Sequence, residues 1–166
     1  EIAFFDRGPI DAEELITGGY WSTYWYNGHI YGTEISRGLD VLALQPSDYL
    51  SANEIAAASL PELNGIVNAQ TQQIVEWPMV PVVVRAYLDQ LLRENTIDSA
   101  QAAELVDALD RAEALLGGGN GSRRSTTRDL NNLAEDFSDA AGDYTGMSGT
   151  RYAALAETLE GIADSL

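Results

Sequence analysis

The sequence predicts an α+β fold: an antiparallel β-meander over residues 1–47, a capped short helix and extended strap over 48–80, and a small four-helix module over 81–166. Three observations predict it. Residues 18–45, GGYWSTYWYNGHIYGTEISRGLDVLALQ, form a row of short aromatic and β-branched runs separated by glycine turns. From Pro81 onward apolar residues recur at spacings of three and four, the period of a helix. Capping residues and prolines mark the joins between these stretches.

Residues 1–6 (EIAFFD) read as a first apolar strand, and the aromatic run at 20–26 reads as the next. Asn27-Gly28 then predicts a hairpin, because both central positions of a type I′ turn need positive φ. Residues 29–35 read as the return strand, Arg37-Gly38 as a second turn and residues 39–44 as the last strand. Strands place successive side chains on opposite faces, so Trp21, Thr23 and Trp25 alternate with Tyr20, Ser22, Tyr24 and Tyr26. Both faces therefore carry large rings, whereas a solvated antiparallel sheet shows one polar face. Such a sheet expects cover on both sides.

Four strands in this length match one β-propeller blade, and a blade cannot bury its two faces alone. The chain contains no second copy of the meander, and it opens inside an apparent strand without Met. The expectation is a C-terminal part of a longer polypeptide, whose remaining blades come from upstream or from another chain. A self-contained sheet covered by the downstream helices is the alternative.

The strings FFDRGPID, GGYWSTYWYNGHIYGTEISRGLDVLAL and LSANEIAAA resemble the last repeat of bacterial LVIVD-repeat proteins. The resemblance covers about residues 1–90 and is most specific in the Trp/Tyr, Asn-Gly and Arg-Gly-Leu-Asp run. Those proteins are predicted exported β-propellers with a C-terminal extension. The resemblance thus implies a propeller and a periplasmic, cell-surface or extracellular location. It carries no catalytic residues to this chain.

Ser51-Ala-Asn-Glu54 is a capping box flanked by the staple pair Leu50 and Ile55, and it predicts a short helix that Pro61 ends. Residues 61–80 lose helical period and read as an extended strap, with Ile74, Val75, Trp77 and Val80 costly to leave exposed. Val84, Tyr87, Leu88 and Leu91 form the first stripe of the helical module, with Pro81 in its first turn. Asp98 signals the next cap, and Leu105, Leu109, Ala112 and Leu116 follow it to the stop at residues 117–121. A polar loop is expected through Ser125. Leu130, Leu133, Ala134 and Phe137 mark the third helix, a loop is expected over 142–149, and Tyr152, Leu155, Leu159 and Ile162 mark the fourth. One-sided helices with short connections predict two antiparallel hairpins packed together, or a small bundle.

The formal charge of −17 disfavours binding to nucleic acid or anionic lipid, and it favours solubility or a basic partner. No apolar run approaches a membrane span. Cys is absent, which excludes disulfides, thiolate-bound zinc and thiol catalysis. Every basic residue is Arg, a bias that high-GC coding or salt adaptation would each produce.

The search for chemistry yields little. The single histidine, His29, follows a turn and reads as a turn residue. Residues 117–121 lack the Lys-Ser/Thr and the preceding strand of a phosphate loop. Asp129, Asn131, Asn132, Glu135, Asp136 and Asp139 lack calcium-loop spacing and read as a solvated helix face. Asp6, Asp11 and Asp40 lie near turns. There, Asp6-Arg7-Gly8 and Arg37-Gly38-Leu39-Asp40 pairing as turn-fixing salt bridges is preferred over a bound cation. The aromatic cluster reads as blade packing rather than a carbohydrate or peptide platform. No catalytic, cofactor or metal residues are assigned. The expected function is a non-enzymatic, exported scaffold or binding protein whose helical module docks a protein partner or a second copy of the chain. The alternative is part of a hydrolase or oxidoreductase whose catalytic or metal residues lie in upstream blades.

Overall fold

The computed structural model describes residues 2–61 and 75–166. The chain forms two compact units, Glu1–Glu76 and Trp77–Leu166. The fold class is α+β: among the described residues, one three-stranded antiparallel sheet and five helices.

In the first unit, β1 (Tyr20–Tyr26), β2 (His29–Glu34) and β3 (Gly38–Leu42) follow one another in space as in sequence. Asn27 and Gly28 turn between β1 and β2 with φ of 50° and 78°, as a type I′ turn requires. Gly38, with φ of 90°, opens β3 at the second turn. Pairing runs from Tyr26 opposite His29 up to Ser22 opposite Thr33, and then slips, so that Tyr20 stands opposite Glu34. Trp21 is the extra residue of this bulge.

The bulge corrects the simple alternation. Tyr20 leaves the set of Ser22, Tyr24 and Tyr26 and crosses to the opposite face. Its ring lies over Gly32, where a Cβ would come within 2.6 Å of Cε1. The missing side chain of Gly32 makes that room.

A second correction concerns residues 2–6, which form no strand. They make no ladder with the three strands, and Phe4 is 86 % exposed. The chain is tied down just after them, where the Arg7 guanidinium forks onto both Asp40 oxygens at 3.0 Å. The last strand also stops at Leu42, short of the expected Leu44.

Beyond a turn bridged by Ser47 and Leu50, α1 (Ala52–Ala58) opens with its capping box complete. The Ser51 amide donates to Glu54 at 2.6 Å, and the Glu54 amide donates to Ser51 Oγ at 3.1 Å. The helix stops before Pro61, as expected. Most of the strap expectation, Ile74 included, falls outside the described residues.

The second unit contains α2 (Pro81–Arg93), α3 (Ser99–Leu116), α4 (Arg123–Ala141) and α5 (Met147–Ser165). Pro81 stands at the start of α2, where its missing N–H costs nothing. Asn95 ends that helix with φ of 55°, while the Thr96 amide reaches back to the Leu91 carbonyl. Asp98 caps α3 by accepting the amides of Ala100 and Gln101 at 2.8 and 2.9 Å. Gly118, with φ of 81°, closes it.

The two expected loops are shorter than the sequence indicated. Ser122 caps α4 by accepting the Ser125 amide, so residues 123–125 are already helical. Helix α5 begins at Met147 and takes Gly149 into its first turn. A Cβ on Gly149 would sit 2.5 Å from the Tyr144 carbonyl oxygen, so the α4–α5 connection needs glycine there.

The four helices enclose one core. Val84, Leu88 and Leu91 meet Leu105, Leu109, Leu130, Phe137, Leu155 and Leu159. Helix α4 packs most extensively on α5 and also on α3, and α2 packs on α5 and α3. Phe137, Tyr152 and Tyr144 stack in series, with ring centres 5.9 and 5.0 Å apart. Both phenols donate to the Thr96 carbonyl, at 2.6 and 2.8 Å. Arginines tie the outside: Arg85 of α2 reaches Asp110 and Glu113 of α3, and Arg151 of α5 reaches Gln90 of α2 and Glu94 at that helix's C-cap. Within this unit Met79 lies against Gly161 of α5, where a Cβ would come 2.6 Å from its side chain.

Candidate interaction surface

The two units differ sharply in what they bury. The helical unit has a continuous core, whereas the only described apolar side chains buried in the first unit are Leu50 and Ala57. Within that unit its sheet carries exposed rings on both faces.

Cross-strand pairing assigns the faces. One carries Tyr24, Tyr26, Tyr31, His29, Leu39 and Val41, and the other carries Tyr20, Trp25, Ile30, Leu42 and Asp40. On the first face Tyr31 lies 6.3 Å from Tyr26 and 6.5 Å from His29, ring centre to ring centre. Leu39 and Val41 beside them are more than half exposed. On the other face Trp25 is 37 % exposed, while Trp21 at the bulge is 80 % exposed. The outer edges of β1 and β3 pair with no further strand among the described residues.

The rim of the sheet is held by carboxylates. Glu34 is the one charged side chain buried among the described residues. It accepts the Gly19 amide at 2.6 Å and the Ser36 amide at 2.9 Å. The Gly19 hydrogen bond, helped by the Ser36 and Arg37 amides and the Arg37 charge, holds its carboxyl below the usual glutamate range against the opposing cost of burial. Asp40 takes Arg7 on both oxygens and also the Tyr20 hydroxyl, which pushes the Tyr20 phenol up. Asp6 accepts the Gly8 amide at 2.7 Å. Asp11 accepts the amides of Glu13 and Glu14 at 2.8 and 2.9 Å, and both bonds lower its carboxyl.

Asp6, Asp11 and Asp40, weighed in the sequence as cation ligands or turn fixers, thus each hold a turn or an ion pair. The salt bridge joins Arg7 of the first motif to Asp40 of the second. His29 is exposed at the start of β2, with Nδ1 3.1 Å from the Asn27 carbonyl oxygen. No nucleophile stands beside it in that contact.

The acidic run on α4 divides in two. Asp129 pairs with Arg111 of α3 and with Arg128. Asn131, Glu135 and Asp139 instead face Glu160 and Asp164 of α5 across a shallow groove. Among the described residues no cluster of His, Asp or Glu has the arrangement of a metal site. No helix among them is long and apolar enough to cross a membrane.

Glu34 is the residue that sequence reasoning missed. Its only local signal is its place two residues before the Ser36 amide; the partner amide of Gly19 is fifteen residues away. Compared with family models, with curated proteins and with solved structures, the chain gives no match in any of the three.

Proposed function

We propose that this chain is a non-enzymatic scaffold or binding protein that works by assembly. Its sheet unit packs into a larger β-propeller-like array, and its helices form a four-helix docking module for a protein partner. One observation carries the reading: a sheet with exposed rings on both faces, and with no further strand on either edge among the described residues, stands in the same chain as a helical unit with a continuous core. Contiguous exposed apolar surface of this kind marks an interaction site. Open strand edges are templates for further pairing. The carboxylates that could serve acid–base chemistry are engaged as caps and ion pairs, or stand on polar helix faces, which supports a role in recognition. The resemblance to LVIVD-repeat proteins supports the propeller form and an exported location.

Sedimentation of the whole chain against a Tyr24→Asp/Val41→Asp variant tests the reading. The expected result is concentration-dependent association that the variant loses while its helical circular dichroism is retained. A monomeric chain whose sheet unit melts cooperatively on its own would sink the assembly reading.

A further inference from the structure

The dipeptide Asn-Gly occurs at residues 27–28, 64–65 and 120–121. In such a pair the main-chain nitrogen that follows asparagine can reach the carbon of its side-chain amide, because glycine has no Cβ to obstruct the approach. The first and last pairs lie among the described residues, and the fold holds them differently; residues 64–65 lie outside the described residues.

Asn27 and Gly28 make the turn between β1 and β2, with φ of 50° and 78°, and Tyr26 and His29 pair directly on either side of them. A type I′ turn sets ψ of Asn27 at roughly +30°. Ring closure would swing the Gly28 nitrogen round the Cα–C bond toward the Asn27 side chain, and that rotation undoes the turn. Asn120 and Gly121 instead stand in the connection between α3 and α4, in no helix or strand, and both are exposed. Gly118 has already closed α3, and the next helix starts only after the Ser122 cap. Among the described residues neither the Asn120 side chain nor the Gly121 amide has a hydrogen-bond partner. The same rotation there breaks no ladder.

We propose that Asn120 is a site of spontaneous modification that takes water and releases ammonia, and that the hairpin protects Asn27 from the same chemistry. The Gly121 nitrogen gives its proton to hydroxide and attacks Asn120 Cγ. An N–Cγ bond forms, the Cγ–Nδ2 bond breaks, and the side-chain nitrogen leaves as ammonia. Water then opens the cyclic imide. Attack at Cγ leaves an ordinary aspartate, and attack at the main-chain carbonyl leaves an isoaspartate, whose chain runs through Cβ and Cγ. The net reaction is a hydrolysis, with nothing oxidised or reduced. Arg123 and Arg124 follow closely in sequence, and their charges favour the anionic nitrogen and the resulting carboxylate within an acidic chain. Either product places a new negative charge just ahead of α4, where a helix N-terminus favours it. The inference is independent of the assembly reading.

Cleavage after arginine puts the pairs in separate peptides: residues 8–37, 38–85 and 112–123. The test ages the whole chain at mildly alkaline pH and follows these peptides by mass spectrometry, with separation of the aspartate and isoaspartate forms. Conversion in the 112–123 peptide should run about ten-fold or more ahead of conversion in the 8–37 peptide, since the hairpin must open first. In urea the 8–37 peptide should catch up. Gly121→Ala should suppress conversion of Asn120 while the helical circular dichroism is retained. Equal rates at Asn27 and Asn120 in the folded chain, an unconverted 112–123 peptide, or conversion that Gly121→Ala leaves unchanged would each overturn the proposal.

Discussion

Glu34 shows how one side chain can hold a segment that has no secondary structure of its own. Its two oxygens bind Gly19 and Ser36, and the Ile35 amide donates to the Gly19 carbonyl beside them. Its carboxyl is depressed, so its contribution is present above the pKa of an unfolded glutamate and is lost as pH falls through the folded value. Tryptophan fluorescence should therefore report a loosening of the sheet at acid pH, and Glu34→Gln should abolish that step while loosening the sheet at neutral pH. In the helical core, Leu109 and Leu159 are fully buried. Replacing either by Ala should cost about 2–5 kcal/mol in a denaturant melt. Gly149→Ala should cost about 1–3 kcal/mol, because its Cβ meets a carbonyl oxygen rather than a side chain that can turn away.

At the scale of elements, the ends were more legible than the joins. Asn27-Gly28, Ser51 with Glu54, Asp98 and Gly118 each act through hydrogen bonds or φ values local to a few residues, so the turn and caps stand where the sequence predicts them. Asp98→Ala should lower the stability of the helical unit by about 1 kcal/mol, read from its thermal melt. The bulge at Trp21 was not legible. It depends on Gly32 opposite, a cross-strand pairing that period-two alternation cannot contain. Residues 2–6 have a strand's composition but not a strand's conformation, because a strand is defined by its neighbour. The two loops flanking α4 are shorter than the sequence predicts, since Ser122 and Gly149 let the helices start early.

For the whole molecule, charge and apolar surface oppose each other. Seventeen net negative charges oppose the approach of copies of the chain, whereas burial of the exposed sheet rings between copies would favour it. The screening length falls from about 10 Å at 0.1 M salt to about 3 Å at 1 M. Association through the sheet should therefore strengthen as salt is raised, measured by sedimentation at fixed protein concentration. A salt-independent or weakened association would place the contact at ion pairs instead of the sheet. His29→Ala should leave the association measured by sedimentation unchanged, and a catalytic activity lost on that substitution would promote an enzymatic reading.

Local physics in the sequence determined the α+β class, the hairpin turn, the helix caps and the apolar stripes that became the helical core. Each depends on the period of side chains along an element or on the φ preference of one residue, and both travel with the chain itself. Tertiary structure alone decided that Arg7 meets Asp40, that Glu34 is buried against Gly19, that Tyr20 crosses the sheet over Gly32, and that Glu135 and Asp139 face the acids of α5. These contacts join residues far apart in sequence, and their partners are chosen by packing and register rather than by any local preference.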